Sequence, residues 1–204
     1  MSPTPQTVQT SFTLENFIAV ADALPDLWLE LIDGRIEIVP PPDKLHQKLT
    51  RKLLRLFRRH NDQIEALGCD PNASFCYFEV PEELSRNSAE AGRKGSSNVC
   101  PDASIAFADY WDSGRRPPAL LVVEVLSISN REHIDRDLVT KLAIYATLEI
   151  PNYWVIDRRD QSVRVYTQPQ NGVYQTSQVY QGDEVLPALG LEFLQITPAQ
   201  IFAL

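Results

Sequence analysis

Cysteine is scarce in this chain. Cys69, Cys76 and Cys100 are the only three, and no two of them form a CxxC pair. That excludes a disulfide framework and a thiolate zinc site, and it fits a reducing, cytoplasmic setting. All three read as small buried hydrophobes. Histidine is as rare, and His46, His60 and His133 are scattered without zinc-binding spacing. No apolar run approaches the roughly 20 residues of a membrane span. The opening MSPTPQTVQT is polar and lacks the apolar core of a signal peptide. GxSxG, GxxxxGK and GxGxxG are all missing, which removes the hydrolase elbow, the P-loop and the dinucleotide fingerprint. Positive charge is in deficit as well. There are 19 Lys and Arg against 27 Asp and Glu, a net charge of −8, which taken alone counts against nucleic acid as a partner.

What is present suits one soluble domain. The 204 residues, 44% of them hydrophobic, can bury a full core, and no interior stretch has the composition of a linker. Residues 1–12 read as a loose tail and 13–204 as a single domain. Thr13 caps a helix over Leu14–Ala23. Trp28–Ile32 and Arg35–Val39 alternate around Asp33-Gly34, a strong hairpin signal. Asp43 caps a long helix from Lys44 to about Leu67. A break over Gly68–Pro71, a strand over Ala73–Val80 and an exposed loop over Glu82–Asn98 follow. Val99–Phe107 and Leu120–Leu126 read as strands, separated by the loop Asp109–Pro118, in which Trp111 packs near the base. Ser127–Asn130 is a turn, and Ile134–Leu148 is helical by period. Asn152–Asp157, Ser162–Thr167 and Val173–Tyr180 are successive strands. Leu191–Ile196 is one more, and Thr197-Pro198 opens a short terminal helix.

Two acids sit where a sequence written for burial has no reason to put them. Glu124 interrupts the apolar run LLVVEVL, and Asp102 stands at the head of VCPDASIAF. A charge on a buried strand is expensive unless it is paired or holds a metal. If the two strands pair, both carboxylates reach one pocket. A hard ion such as Mg²⁺ or Mn²⁺ takes oxygen ligands of this kind, and the Val125 carbonyl beside Glu124 can add another. The bland alternative pairs Glu124 with a cation and leaves Asp102 as a strand cap. Lys141 lies three residues after Leu138 and four before Tyr145, on the inward stripe of its helix, so it needs a counter-charge. Glu124 is the natural candidate, and a surface pair with Asp137 is the other. Glu30, alternating with Trp28 and Ile32, can supply a further acid or pair across the fold. His46 falls on the apolar side of its helix, either as a core histidine or as a site residue.

The basic residues are concentrated. Lys44, Lys48, Arg51, Lys52, Arg55, Arg58 and Arg59 fall within an arc of roughly 120° on one helix, opposite Leu45, Leu49, Leu53, Leu56 and Phe57. Such a face is either solvated or in contact with phosphates.

Together LELIDGR (29–35), Pro101-Asp102, VEVLS (123–127), the spacing Asp137…Lys141…Tyr145 and NYWVID (152–157) resemble the Uma-type restriction endonuclease family, within the PD-(D/E)XK nuclease superfamily. The resemblance runs from about Thr13 to Phe202. It implies an α/β (α+β) class, a mixed sheet flanked by helices in a restriction endonuclease-like core, here with an N-terminal hairpin and C-terminal strands, and Asp102 and Glu124 as first and second metal ligands. The superfamily pattern has lysine two residues after the glutamate. Leu126 stands there in this chain, so the resemblance implies that the lysine's role passes to Lys141 on the next helix.

The leading expectation is a Mg²⁺-dependent (or Mn²⁺-dependent) DNA endonuclease. In it Asp102, Glu124 and the Val125 carbonyl hold the metal and Lys141 orients the attacking water. Glu30 assists, and the face bearing Lys44, Lys48, Arg51, Lys52 and Arg55 tracks phosphates. Cutting both strands favours a homodimer. The rival expectation is a dimeric, non-catalytic binding module of the same fold that keeps the acids and lysine as a buried ion-pair network. A third is a phosphoesterase acting on something other than duplex DNA.

Overall fold

The computed structural model describes residues 11–72, 77–81, 84, 95–114, 116–127 and 139–204. Among the described residues, ten strands form two sheets. Helix α1 (Leu14–Ala23) begins where Thr13 accepts the Asn16 N–H and buries Phe17 against β1 (Leu29–Ile32). Strand β1 turns through Asp33 (φ 49°) and Gly34 (φ 77°) into β2 (Arg35–Ile38). Two consecutive left-handed residues are what a two-residue hairpin requires. Strands β4 (Phe78–Val80) and β5 (Ser97–Val99) complete the smaller sheet in the order β2-β1-β5-β4, antiparallel throughout. Gly95 leads into β5, and a Cβ there would stand 2.6 Å from the Asp33 carbonyl carbon, so glycine permits this close approach to the hairpin turn.

The larger sheet contains β3 (Cys69–Asn72), β6 (Ala103–Phe107), β7 (Ala119–Val125), β8 (Asn152–Asp157), β9 (Ser162–Gln170) and β10 (Val173–Tyr180). Its order is β10-β9-β8-β7-β6-β3, with β7 and β8 parallel and the other pairs antiparallel. One face packs on α2 (Lys44–Arg58), α3 (Asn61–Glu65) and the terminal turns. Leu49, Leu53, Phe57 and Ile64 meet Leu121, Val123, Val125 and Trp154 there. The other face, through Val122, Leu126, Tyr153 and Val155, packs on α5 (Lys141–Thr147) and on Phe78, Val80 and Val99 of the small sheet. Alternation along β7 places Glu124 on this second face, between Val122 and Leu126.

Five expectations change, each for a local reason. The stretch read as one strand over Val99–Phe107 is two, in different sheets, with Cys100-Pro101-Asp102 crossing between them. Pro101 has no N–H for a ladder, and the chain leaves one sheet there. The long helix ends at Arg58 and turns at His60 (φ −115°, ψ 24°) before α3. A straight helix would carry Ile64 about 10 Å beyond Phe57, and the turn keeps both in one core. Cys69–Asn72 is a strand despite Pro71, which is tolerated because β3 is the sheet's outer strand. The loop Asp109–Pro118 contains a short helix, α4 (Tyr110–Ser113). Leu191–Ile196 forms a 3-10 turn over Glu192–Leu194, not a strand, because Gln195 is left-handed (φ 41°). The terminal helix α6 (Pro198–Phe202) forms as expected, with a capping box between Thr197 and Gln200. Residues 73–76 of the strand expected over Ala73–Val80 (Cys76 among them), residues 128–130 of the turn expected over Ser127–Asn130, His133, residues 134–138 of the helix expected over Ile134–Leu148 (Asp137 among them) and the side chain of Trp111 lie outside the described residues, as does most of the loop expected over Glu82–Asn98.

Candidate active site

The crossover at Cys100-Pro101-Asp102 frees the peptide groups of Cys100 from both sheets, and the site forms around them. The Cys100 N–H donates to Glu30 Oε1 at 3.0 Å, and its carbonyl accepts from Lys141 Nζ at 3.4 Å. The same ammonium lies 2.9 Å from Glu30 Oε1 and donates to Glu124 Oε1 at 2.8 Å. Strand β1, strand β7 and the first residue of α5 thus meet at one nitrogen. The side chains of Lys141 and Glu30 are each only 3% exposed, and that of Glu124 is 4%. The Tyr145 hydroxyl, one helical turn beyond Lys141, also donates to Glu124 Oε1, at 2.7 Å. Burial and the neighbouring Glu124 charge push the Tyr145 phenol well above its usual range, so it stays a donor.

Asp102 stands at the accessible edge of this cluster. Its side chain is 21% exposed, its Oδ2 accepts the Val125 N–H at 2.7 Å, and its Oδ1 lies 2.8 Å from His46 Nε2. Burial pushes the Asp102 carboxyl upward. The His46 contact, the Lys141 charge and the Val125 N–H outweigh it and hold the group below the ordinary aspartate value, so Asp102 is ionised at neutral pH. Burial raises the Cys100 thiol well above its usual range, which leaves the residue as a backbone platform and no thiolate nucleophile.

His46 is held from behind. Asp43 Oδ1 accepts the N–H groups of Leu45 and His46 at 2.9 Å each, capping α2. Both Asp43 oxygens accept from Arg158 Nη1 at 2.8 Å, and Arg158 Nε donates to the Leu126 carbonyl at 3.0 Å. A closed ring therefore runs from the end of β7 through Arg158, Asp43 and His46 to Asp102, and back to Val125.

The structure brings Glu30, Asp102, Glu124, Val125 and Lys141 together, along with His46, whose role the sequence left open, Tyr145 and the Cys100 peptide. Tyr145 was legible from its place four residues after Lys141, whereas nothing local marked Arg158. Lys44, Lys48, Arg51, Lys52 and Arg55 do not join the cluster. The middle of their face lies roughly 180° from His46 around α2. Two of these residues turn back onto the protein: Lys52 Nζ donates to the Ala203 carbonyl and Arg51 Nε to the Gln47 carbonyl.

Among solved structures, this fold is similar to one described as "a putative nuclease belonging to DUF820 from Anabaena variabilis". The match has a TM-score of 0.63 and 19% identity, and covers 94% of this chain and 98% of that one. No curated protein matches the chain. The model of the family named Uma2 and described as "Putative restriction endonuclease" matches residues 14–199. With the match spanning both sheets and every residue of the acidic cluster, the chain belongs to the Uma2 family.

Proposed function

We propose that the protein is a metal-dependent DNA endonuclease. The observation that carries this reading is the graded cluster: an ionised, partly exposed Asp102 set over a buried Glu124–Lys141–Glu30 group. The residues fit a hard divalent cation such as Mg²⁺ or Mn²⁺. The donors are carboxylate oxygens, Val125 follows Glu124 in the chain and meets Asp102 through its N–H, and a carboxylate or two with waters suffices for such an ion. No group of three or more His, Cys, Asp or Glu side chains among the described residues is placed to hold a metal ion, so the site would rest on one or two carboxylates completed by waters. Asp102, Glu124 and the Val125 carbonyl would hold it. When bound, the cation supplies Lewis acidity toward the phosphate and activates the attacking water.

The remaining roles fall to the chain itself. Lys141 fixes Glu124 and Glu30 and carries positive charge toward the phosphate. Tyr145 holds Glu124 in one orientation, and the Cys100 peptide ties β1 to the crossover. The basic face of α2 contacts phosphates away from the scissile bond. Cutting both strands favours a two-fold dimer. Cys69 and Cys100 are free thiols, in keeping with a reducing cytoplasm, and no helix among the described residues is long and apolar enough to cross a membrane.

A second reading has its own support. Lys141, Glu30 and Glu124 are almost sealed from solvent, as a purely structural ion-pair network in a binding module would be. Calorimetric titration of Mn²⁺ and Mg²⁺ into wild type, Asp102→Asn and Glu124→Gln, followed by incubation with supercoiled plasmid, separates the two. Binding and nicking by wild type, abolished in both variants, is the outcome expected of the nuclease. A wild type that binds neither ion and leaves the plasmid intact would establish the module.

A further inference from the structure

The His46–Asp102 contact is odd as a simple hydrogen bond. His46 Nε2 is buried and lies 2.8 Å from Asp102 Oδ1, yet it is out of line for hydrogen bonding and has no hydrogen-bond partner among the described residues. A neutral imidazole that carries its proton on Nδ1 presents a lone pair at Nε2, and a carboxylate oxygen presents another. Two acceptors held this close repel unless an electropositive atom lies against both. Ligands bound about 2.1 Å from one ion and at right angles to each other stand about 3 Å apart, close to the separation seen.

Both groups are fixed in place. The Arg158–Asp43 clamp sets the first turn of α2, and with it His46. The Val125 N–H restrains Asp102 by its other oxygen, leaving Oδ1 turned to the imidazole. The His46 side chain is 14% exposed and Asp102 is 21% exposed, so the pair stands on the accessible side of the cluster, where an ion enters.

We propose that His46 is a nitrogen ligand of the cation held by Asp102, and that it biases the site toward a transition ion of the Mn²⁺ type over Mg²⁺. This rests on the metal-dependent reading above. Imidazole nitrogen suits first-row transition ions, whereas Mg²⁺ favours an all-oxygen shell. Arg158 and Asp43 are positioning residues in this arrangement, acting through the start of α2.

Pulsed electron paramagnetic resonance of the full chain loaded with Mn²⁺ tests it directly. A directly bound imidazole gives a ¹⁴N modulation, which carboxylates, carbonyls and waters do not. The expected result is a ¹⁴N signal in wild type that disappears in His46→Gln, whose folding is checked by circular dichroism. In parallel, calorimetry is expected to show Mn²⁺ bound about tenfold or more tighter than Mg²⁺, with the ratio narrowed in His46→Gln. Mn²⁺ bound in an Asp102-dependent manner without a ¹⁴N signal would overturn His46 as a ligand and leave the acidic site standing. A ¹⁴N signal that persists in His46→Gln would assign the nitrogen elsewhere and overturn it too. Absence of Mn²⁺ binding at millimolar concentration would overturn this proposal together with the metal-dependent reading. Absence of a wild-type signal overturns the proposal whatever the variant does, and His46→Asn serves as the second variant if His46→Gln does not fold.

Discussion

Replacing Lys141 with methionine removes the ammonium that lies 2.9 Å from Glu30 and 2.8 Å from Glu124. Two oxygens that each lie within 2.9 Å of one nitrogen are no more than about 6 Å from each other. Two negative charges at that distance repel by about 3 kcal/mol at an effective dielectric constant near 20. Stripping one partner from a buried ion pair typically costs about 3–5 kcal/mol. The two figures describe one effect from two sides, so Lys141→Met is expected to lose about 3–5 kcal/mol at pH 8. Urea unfolding followed by far-ultraviolet circular dichroism and by tryptophan fluorescence measures it. The sign of the pH dependence follows from linkage. Without the ammonium, the folded acidic pair takes up a proton more readily than the unfolded chain does. The deficit is therefore largest at high pH and shrinks as pH falls toward 5. Adding Glu124→Gln to Lys141→Met removes one of the stranded charges and is expected to recover about 1–3 kcal/mol relative to Lys141→Met. A single variant that loses less than about 1 kcal/mol, equally at pH 5 and pH 8, would show that Lys141 is not the counter-ion of this cluster.

Three further outcomes are expected. Arg158→Leu strips the Leu126 carbonyl and the α2 cap of a buried guanidinium. It should cost about 1.5–3 kcal/mol in urea unfolding and speed hydrogen exchange at the Leu45 and His46 amides, whereas Asp43→Asn, which still caps the helix, should cost less. The Arg158 hydrogen bond, then the His46 N–H, hold the Asp43 carboxyl below its ordinary value of 3.8. Its stabilising contribution is thus complete above that value and fades as pH falls through the lower folded one; a wild-type advantage over Asp43→Asn that persists unchanged into acid unfolding would contradict this. If the exposed face of α2 touches DNA phosphates, Lys48→Gln, Arg51→Gln and Arg55→Gln together should flatten the slope of log affinity against log salt by about 0.9 for each phosphate no longer neutralised. An unchanged slope would assign the face to solvent.

Some of this molecule can be read residue by residue. The helix Leu14–Ala23 and the Asp33-Gly34 hairpin form as their caps and turn residues specify, because those signals act within a few positions. The acidic cluster was legible for a related reason. A charge on an apolar strand or an inward helical stripe is costly wherever the chain folds, so Glu124 and Lys141 announced a partner before the partner was known. Segments whose conformation depends on distant packing were read less well. Val99–Phe107 looked like one strand because its composition is uniform, and only the two sheets on either side show that Pro101 divides it. Leu191–Ile196 is apolar enough for a strand, but Leu191, Leu194 and Ile196 reach the core through a tight turn instead.

The sequence by itself determined which residues carry unusual chemistry and which face of its own element each occupies. Periodicity is a local property, and burying an unpaired charge is costly in any fold. Only the tertiary structure decided what stands opposite each face. Glu30 meets Cys100 across 70 positions, Arg158 meets Asp43 across 115, and His46 meets Asp102 by way of a helix start clamped to the end of β7. Contacts at such separations leave no trace in spacing, because they are fixed by the order of strands and the crossing of two sheets.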